Sequence, residues 1–151
     1  MLQANRRRFH RVTLLGLAVL WLLTVGVPGV TADDDESFSN RSLRGAYGFI
    51  ASGTLNDNAA IAVGRYTFNG NGTCSLTLTV NVNSVTLGGV GPIVATSCTY
   101  AVQPDGTGTI SVDVPGFGTF NFAFVIIDNK KELQLITLDP GVSATVLVKK
   151  Q

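Results

Sequence analysis

Between Leu43 and Lys150, apolar and polar residues alternate with a period of two, in short runs broken by clusters of Asn, Asp, Gly and Pro. That period puts successive side chains on opposite faces and marks a half-buried strand. Eight runs are legible, over 45–54, 59–68, 73–83, 92–103, 109–114, 119–127, 132–138 and 142–150. The breaks include "LNDN", "NGNG", "PDGTG", "PGFG", "DNKK" and "DPG", which is hairpin chemistry. Beyond residue 32 no helical period of useful length occurs. Consecutive strands joined by tight turns favour an antiparallel meander, and a meander of this size loses its exposed edges by closing on itself. The pattern predicts an all-β fold, a single antiparallel up-and-down barrel of about eight strands. A two-sheet β-sandwich is the alternative.

The faces of these runs make finer expectations. On the third run Cys74, Leu76, Leu78 and Val80 share a face; on the fourth, Val94, Thr96, Cys98 and Tyr100 do. If the two pair across a turn centred near Thr86, Leu78 faces Val94, Leu76 faces Thr96, and Cys74 faces Cys98. Directly opposed antiparallel positions lie close enough for a disulfide. The richest apolar face is Phe120, Phe122, Phe124 and Ile126, which Leu133, Leu135, Val146 and Val148 can join. The sixth run is apolar on its other face too, at Ala123, Val125 and Ile127. That points to an outer surface covered by a partner, a candidate homo-oligomer contact.

The first 32 residues have a different pattern. A basic "NRRRFHR" precedes an uninterrupted apolar stretch over 12–27, and then "PGVTA" places Val30 and Ala32 where a signal peptidase reads small residues. This is the pattern of a secretory signal peptide cleaved near Ala32. A retained membrane anchor is the alternative, against which the short apolar stretch and its break at Pro28-Gly29 argue. The Arg-rich start leaves a twin-arginine route open beside the general one. The expected organisation is a signal peptide over 1–32, a disordered acidic leader over 33–42 and a β-barrel domain over 43–151. "DDDES" lacks the alternating ligand spacing of a calcium loop. Export makes an even cysteine count a disulfide count, so Cys74–Cys98 reads as a bridge rather than a redox or metal pair.

Charge and chemistry then exclude more than they assign. Four of the eleven basic residues, Arg6, Arg7, Arg8 and Arg11, sit in the signal, and the chain beyond Ala32 carries a net charge of −3. Without a basic track, nucleic acid is excluded as a partner. No membrane segment remains after cleavage, and the expected location is periplasmic or extracellular. The single histidine, His10, also lies in the signal. Histidine-dependent catalysis and the commonest zinc ligand go with it. No phosphate loop, dinucleotide fingerprint or haem motif occurs, so no cofactor or metal is implied.

Asp57, Asp105, Asp128 and Asp139 fall in turns, Asp113 between two valines reads as solvent-facing, and Glu132 opens a strand. No catalytic residue is assigned. The candidates for contact with a ligand are Phe120, Phe122 and Phe124, with Tyr66, Tyr100 or Arg65 as polar handles; Tyr47 is a further one. Arg65 points inward only if Ile61 and Val63 do. Burial of an unpaired charge is costly, so the surface is its expected place.

"SLRGAYGFIASGT", "GRYTFNGNGT", "YAVQPDGTGTISV" and "KELQLITLDPGV" together resemble a group of exported bacterial proteins of unknown role. The match covers most of 42–150 and consists mainly of turn chemistry. The resemblance implies a barrel similar to that of allene oxide cyclase, itself similar in shape to lipocalins. It does not imply the plant enzyme's activity, because none of that enzyme's catalytic positions is matched here. Three functions are open to such a chain: a module that binds a small apolar molecule, a structural or surface-interaction protein with a filled barrel, and a histidine-independent isomerase or cyclase. The third is least favoured, since no group shows tuning for acid–base work. A connected cavity of ligand size separates the first from the second.

Overall fold

The computed structural model describes residues 37–87 and 91–151, and these are almost wholly strand. The expected signal peptide lies outside the described residues. Ten strands succeed one another: β1 (Arg44–Leu55), β2 (Asn58–Asn69), β3 (Cys74–Val82), β4 (Val85–Leu87), β5 (Ile93–Val94), β6 (Ser97–Val102), β7 (Thr107–Val114), β8 (Gly118–Ile127), β9 (Glu132–Thr137) and β10 (Val142–Lys150). They form one antiparallel sheet in the order β4-β3-β2-β1-β10-β9-β8-β7-β6. The sheet then curls back on itself. β5 pairs with β3, Thr73 bridges Thr99, and the Tyr100 amide donates to the Gly72 carbonyl at 2.9 Å. The fold is the predicted all-β antiparallel barrel, and the sandwich alternative falls.

Local chemistry explains the tight hairpins. Asn56 and Asp57 join β1 to β2, and Asn83 and Ser84 join β3 to β4, all four with positive φ. Paired positive φ values give the loop the twist that its flanking strands need, and Asn and Asp tolerate that region better than most residues.

Several expectations about the fourth run fail. The run over 92–103 is not one strand, because Thr96 and Ser97 both face outward and form a bulge. There the chain changes partners: Ala95 donates its amide to the Leu76 carbonyl on β3, and Thr96 donates its own to the Asp113 carbonyl on β7. The Thr96 hydroxyl also donates to the Asp113 carboxylate, so Asp113 is engaged rather than merely solvated. The extra residue reverses the faces. Leu78 opposes Ile93 rather than Val94, Thr77 takes Val94, and Val94 lies outside at 58% exposure. Thr96 does not face Leu76. Thr86, expected at the turn, instead pairs with Asn81 in the small β3–β4 hairpin. Past the bulge the register is the expected one, and Cys74 is bonded to Cys98 with Cα atoms 4.9 Å apart.

The interior is packed solid at one end. Leu43, Tyr47, Phe68, Ile110, Leu133, Leu135 and Val148 meet there, none more than 1% exposed. Phe68 makes edge contacts with Tyr47 and Tyr100 and stacks on Tyr66. The segment from Phe38 to Ser42 covers this end, so that part of the leader expected over 33–42 is ordered against the barrel, while residues 33–36 lie outside the described residues. Phe38 donates its amide to Pro104, a 3-10 turn spans Asn40–Ser42, and the Asn40 side-chain carbonyl accepts from the Val102 amide at 2.8 Å. The residues from Phe38 to Ser42 are therefore tied to the barrel.

Candidate ligand site

The opposite end of the barrel is lined by smaller side chains, and the register shows why it stays open. Three rows cross the inner face from β2 through β1 to β10. Nearest the packed end runs Gly64–Phe49–Val148, then Ala62–Ala51–Val146, then Ala60–Gly53–Ala144. Side-chain volume falls row by row toward Leu55, while the wall opposite keeps its large residues. The shortfall is a cleft of about 110 Å³. Phe49, Leu78, Val80, Phe117, Phe120 and Phe122 supply much of its wall. This lies below the several hundred Å³ of a drug-sized site and near the roughly 150 Å³ at which an apolar protein cavity takes up benzene.

The predicted contacts divide. Phe120, Phe122 and Tyr66 line the cleft. Phe124 does not; it is 4% exposed and packs into the core over Gly108. Arg65 is exposed on the outer face, as the surface expectation had it, because Tyr66 and Phe68 are the residues that point inward. Phe49, Phe117 and the small residues Ala51 and Ala144 were not singled out from the sequence. The alanines carry the one signal that could have found the cleft. Inward positions that hold Ala or Gly in three adjacent predicted strands mark a taper.

The three tyrosines differ in a way that no periodicity records. The Tyr100 hydroxyl donates toward the Asn40 and Leu43 carbonyls, at 3.0 and 3.1 Å, and accepts the Gly70 amide at 2.9 Å. The Tyr47 hydroxyl donates to the Lys130 carbonyl at 2.9 Å. Both fasten loops at the packed end. Tyr66 is 2% exposed, lies between Phe49 and Phe68, and its hydroxyl meets no partner among the described residues. Burial raises the pKa of all three, and for Tyr66 it is the sole cause. All three therefore stay protonated near neutrality.

Acid–base chemistry is sparse. Asp105 accepts from the Thr107 amide and hydroxyl, which holds its pKa below the usual carboxylate range. Asp139 accepts from the Asn121 amide and side chain and ties the β9–β10 turn to β8. Glu132 pairs with Lys149 at 2.9 Å. Among the described residues no acidic or basic side chain lines the cleft, and no cluster of His, Cys, Asp or Glu could hold a metal ion.

The outer face bears a second feature. Ile50 opposes Val63 on β2 and Leu147 on β10, and Ile136 on β9 opposes Ala123 on β8. Ile50, Val63 and Ile136 are each more than half exposed and belong to one surface. Among the described residues no helix is long and apolar enough to cross a membrane. Compared with family models, curated proteins and solved structures, the chain finds no match.

Proposed function

We propose that this chain is an exported module that binds a small apolar molecule in the open end of its barrel. The observation that carries the reading is the asymmetry of the interior, packed solid around Tyr47 and Phe68 and left with an apolar cleft beside Phe49 and Phe122. Burial of the ligand's apolar surface would drive binding, at about 25 cal/mol per Å² removed from water. The cleft suits a compact ligand, or one end of a longer one that projects through the mouth. The export half of the reading rests on the pattern of the first 32 residues and agrees with the disulfide. A barrel of this size has room for one small ligand, which supports the binding half.

The test is saturable uptake of a lipophilic fluorescent probe by the protein cleaved after Ala32, displaced by compact apolar compounds. Phe122→Asp places a charge on the cleft wall and should abolish uptake in a variant that still shows the parent β-rich spectrum. Absence of saturable uptake by the parent protein would remove the reading.

The outer face favours a second reading, protein–protein contact through Ile50, Val63, Ile136 and Leu147. Exposed apolar residues contiguous across several strands are unusual on a monomer. Sedimentation of the protein and of Val63→Lys would separate an oligomer that this substitution dissolves from a monomer that it leaves unchanged.

A further inference from the structure

We propose that the ligand is a neutral molecule with a single hydrogen-bond acceptor, a carbonyl or ether oxygen, seated on the Tyr66 hydroxyl with its apolar body in the cleft. The inference rests on the binding reading above and adds the chemical class.

The hydroxyl inventory of the interior leads to it. Tyr47 and Tyr100 have spent their hydroxyls on backbone groups, and Tyr66 has not. A buried hydroxyl left without a partner is costly, and most are satisfied by protein or by an ordered molecule. Among the described residues no polar side-chain atom that is sealed from open space lacks a partner. The unpartnered Tyr66 hydroxyl therefore keeps a small opening to space outside the packed core, and Tyr66 is one of the residues that line the cleft. The other hydroxyl-bearing residues of the lining are Ser52, Thr54 and Thr137. Ser52 and Thr54 share the outward face of β1 with exposed Ile50, and the Thr137 hydroxyl already donates to the Val142 carbonyl and accepts the Ala144 amide. Tyr66 is thus the deep polar point in an apolar wall.

Two facts define the group that it would meet. Its burial keeps the phenol protonated, so it offers a proton and suits an acceptor. Among the described residues no cation lines the cleft, and Arg65 next in sequence is exposed on the other face. A carboxylate would be stripped of water with no counter-ion, at a cost a single phenol does not offset. Neutral ketones, aldehydes, esters and ethers remain, with a body about the size of one aromatic ring.

Three ligands of matched size make the test: acetophenone, which has the acceptor; cumene, which lacks it; and benzoate, which carries a charge. Affinities are measured by calorimetry for the parent protein and for Tyr66→Phe, which keeps the ring and its stacking. The ratio of acetophenone to cumene affinity should fall roughly fivefold in Tyr66→Phe, the worth of one hydrogen bond, while cumene binds both proteins alike. Benzoate should show no saturable binding. A ratio unchanged by the substitution, or benzoate as the tightest ligand, would overturn the inference and leave the apolar site standing. No binding of either neutral ligand would remove that site and the inference with it.

Discussion

Phe49 on β1 and Gly64 on β2 face each other across the sheet, and the Phe49 Cε1 atom lies 2.6 Å from the place a Cβ on Gly64 would occupy. The ring fills the space of the missing side chain, and the Thr77 carbonyl of β3 closes in from the other side. The same arrangement recurs with Phe124 over Gly108. A glycine under an aromatic ring lets the sheet bend where a barrel must turn a corner. Phe49 also forms part of the cleft wall, so Gly64 helps set the shape of the cleft. Gly64→Val should lower stability by about 1–3 kcal/mol, as overpacking does. Urea denaturation measures it, and Gly91→Val, where nothing lies within 4 Å, is the control expected to change little.

The Cys74–Cys98 bond sits at the seam where β6 returns to β3 and encloses a sequence separation of 24. Loss of a cross-link of this span costs about 3 kcal/mol in the chain-entropy model. The double variant Cys74→Ala with Cys98→Ala should lose about that much. Amide exchange at Tyr100, whose N–H crosses the seam to Gly72, should quicken more than exchange in the long β1–β2 hairpin. Equal loss of protection in both would argue that the bond does not act at the seam.

The three tyrosines should respond differently to loss of the hydroxyl. Tyr100→Phe leaves two carbonyls and the Gly70 amide short of a partner and should cost about 1–3 kcal/mol. Tyr47→Phe should cost less, since one bond is lost. Tyr66→Phe removes an unpartnered group and should be neutral or stabilising by up to about 1 kcal/mol in the unliganded protein. Thermal melts of the three variants under one condition decide the order.

Alkaline pH tests the same burial. The folded state raises all three tyrosine pKa values above their ordinary 10.0. Below that value both states are protonated and the stability is fully present. Above it the unfolded chain releases protons that the folded chain holds, so stability falls as pH rises, by at most about 1.4 kcal/mol per pH unit for each tyrosine. Tyr66→Phe removes one of these contributions and should move the midpoint of alkaline unfolding upward.

How much the chain revealed before its structure depends on which interactions are local. Seven of the eight runs coincide with strands to within about two residues, the usual uncertainty of an element's ends, because alternation and turn residues act over short distances. The Cys74–Cys98 pairing was legible from the faces of its two runs and from an even cysteine count behind an export signal, although the single turn near Thr86 assumed for it is absent. The bulge at Thr96–Ser97 was not, since it exists because one strand passes from β3 to β7, a demand of closure rather than of local sequence. The cleft was half legible. Phe120 and Phe122 were visible as an inward face, while the taper needed the rows across β2, β1 and β10 to be aligned. That Tyr66 differs from Tyr47 and Tyr100 depends on loops that fold over the packed end, and nothing in the spacing of the three residues encodes it.

The most direct measurement is a methyl-resolved NMR titration of the protein with cumene. Binding in the cleft should give saturable shifts at Leu78, Val80, Val142 and Val146, which line it, with Ile50, Val63 and Ile136 on the outer face unmoved. Shifts confined to those outer residues, or none that saturate, would contradict a ligand site in the open end of the barrel.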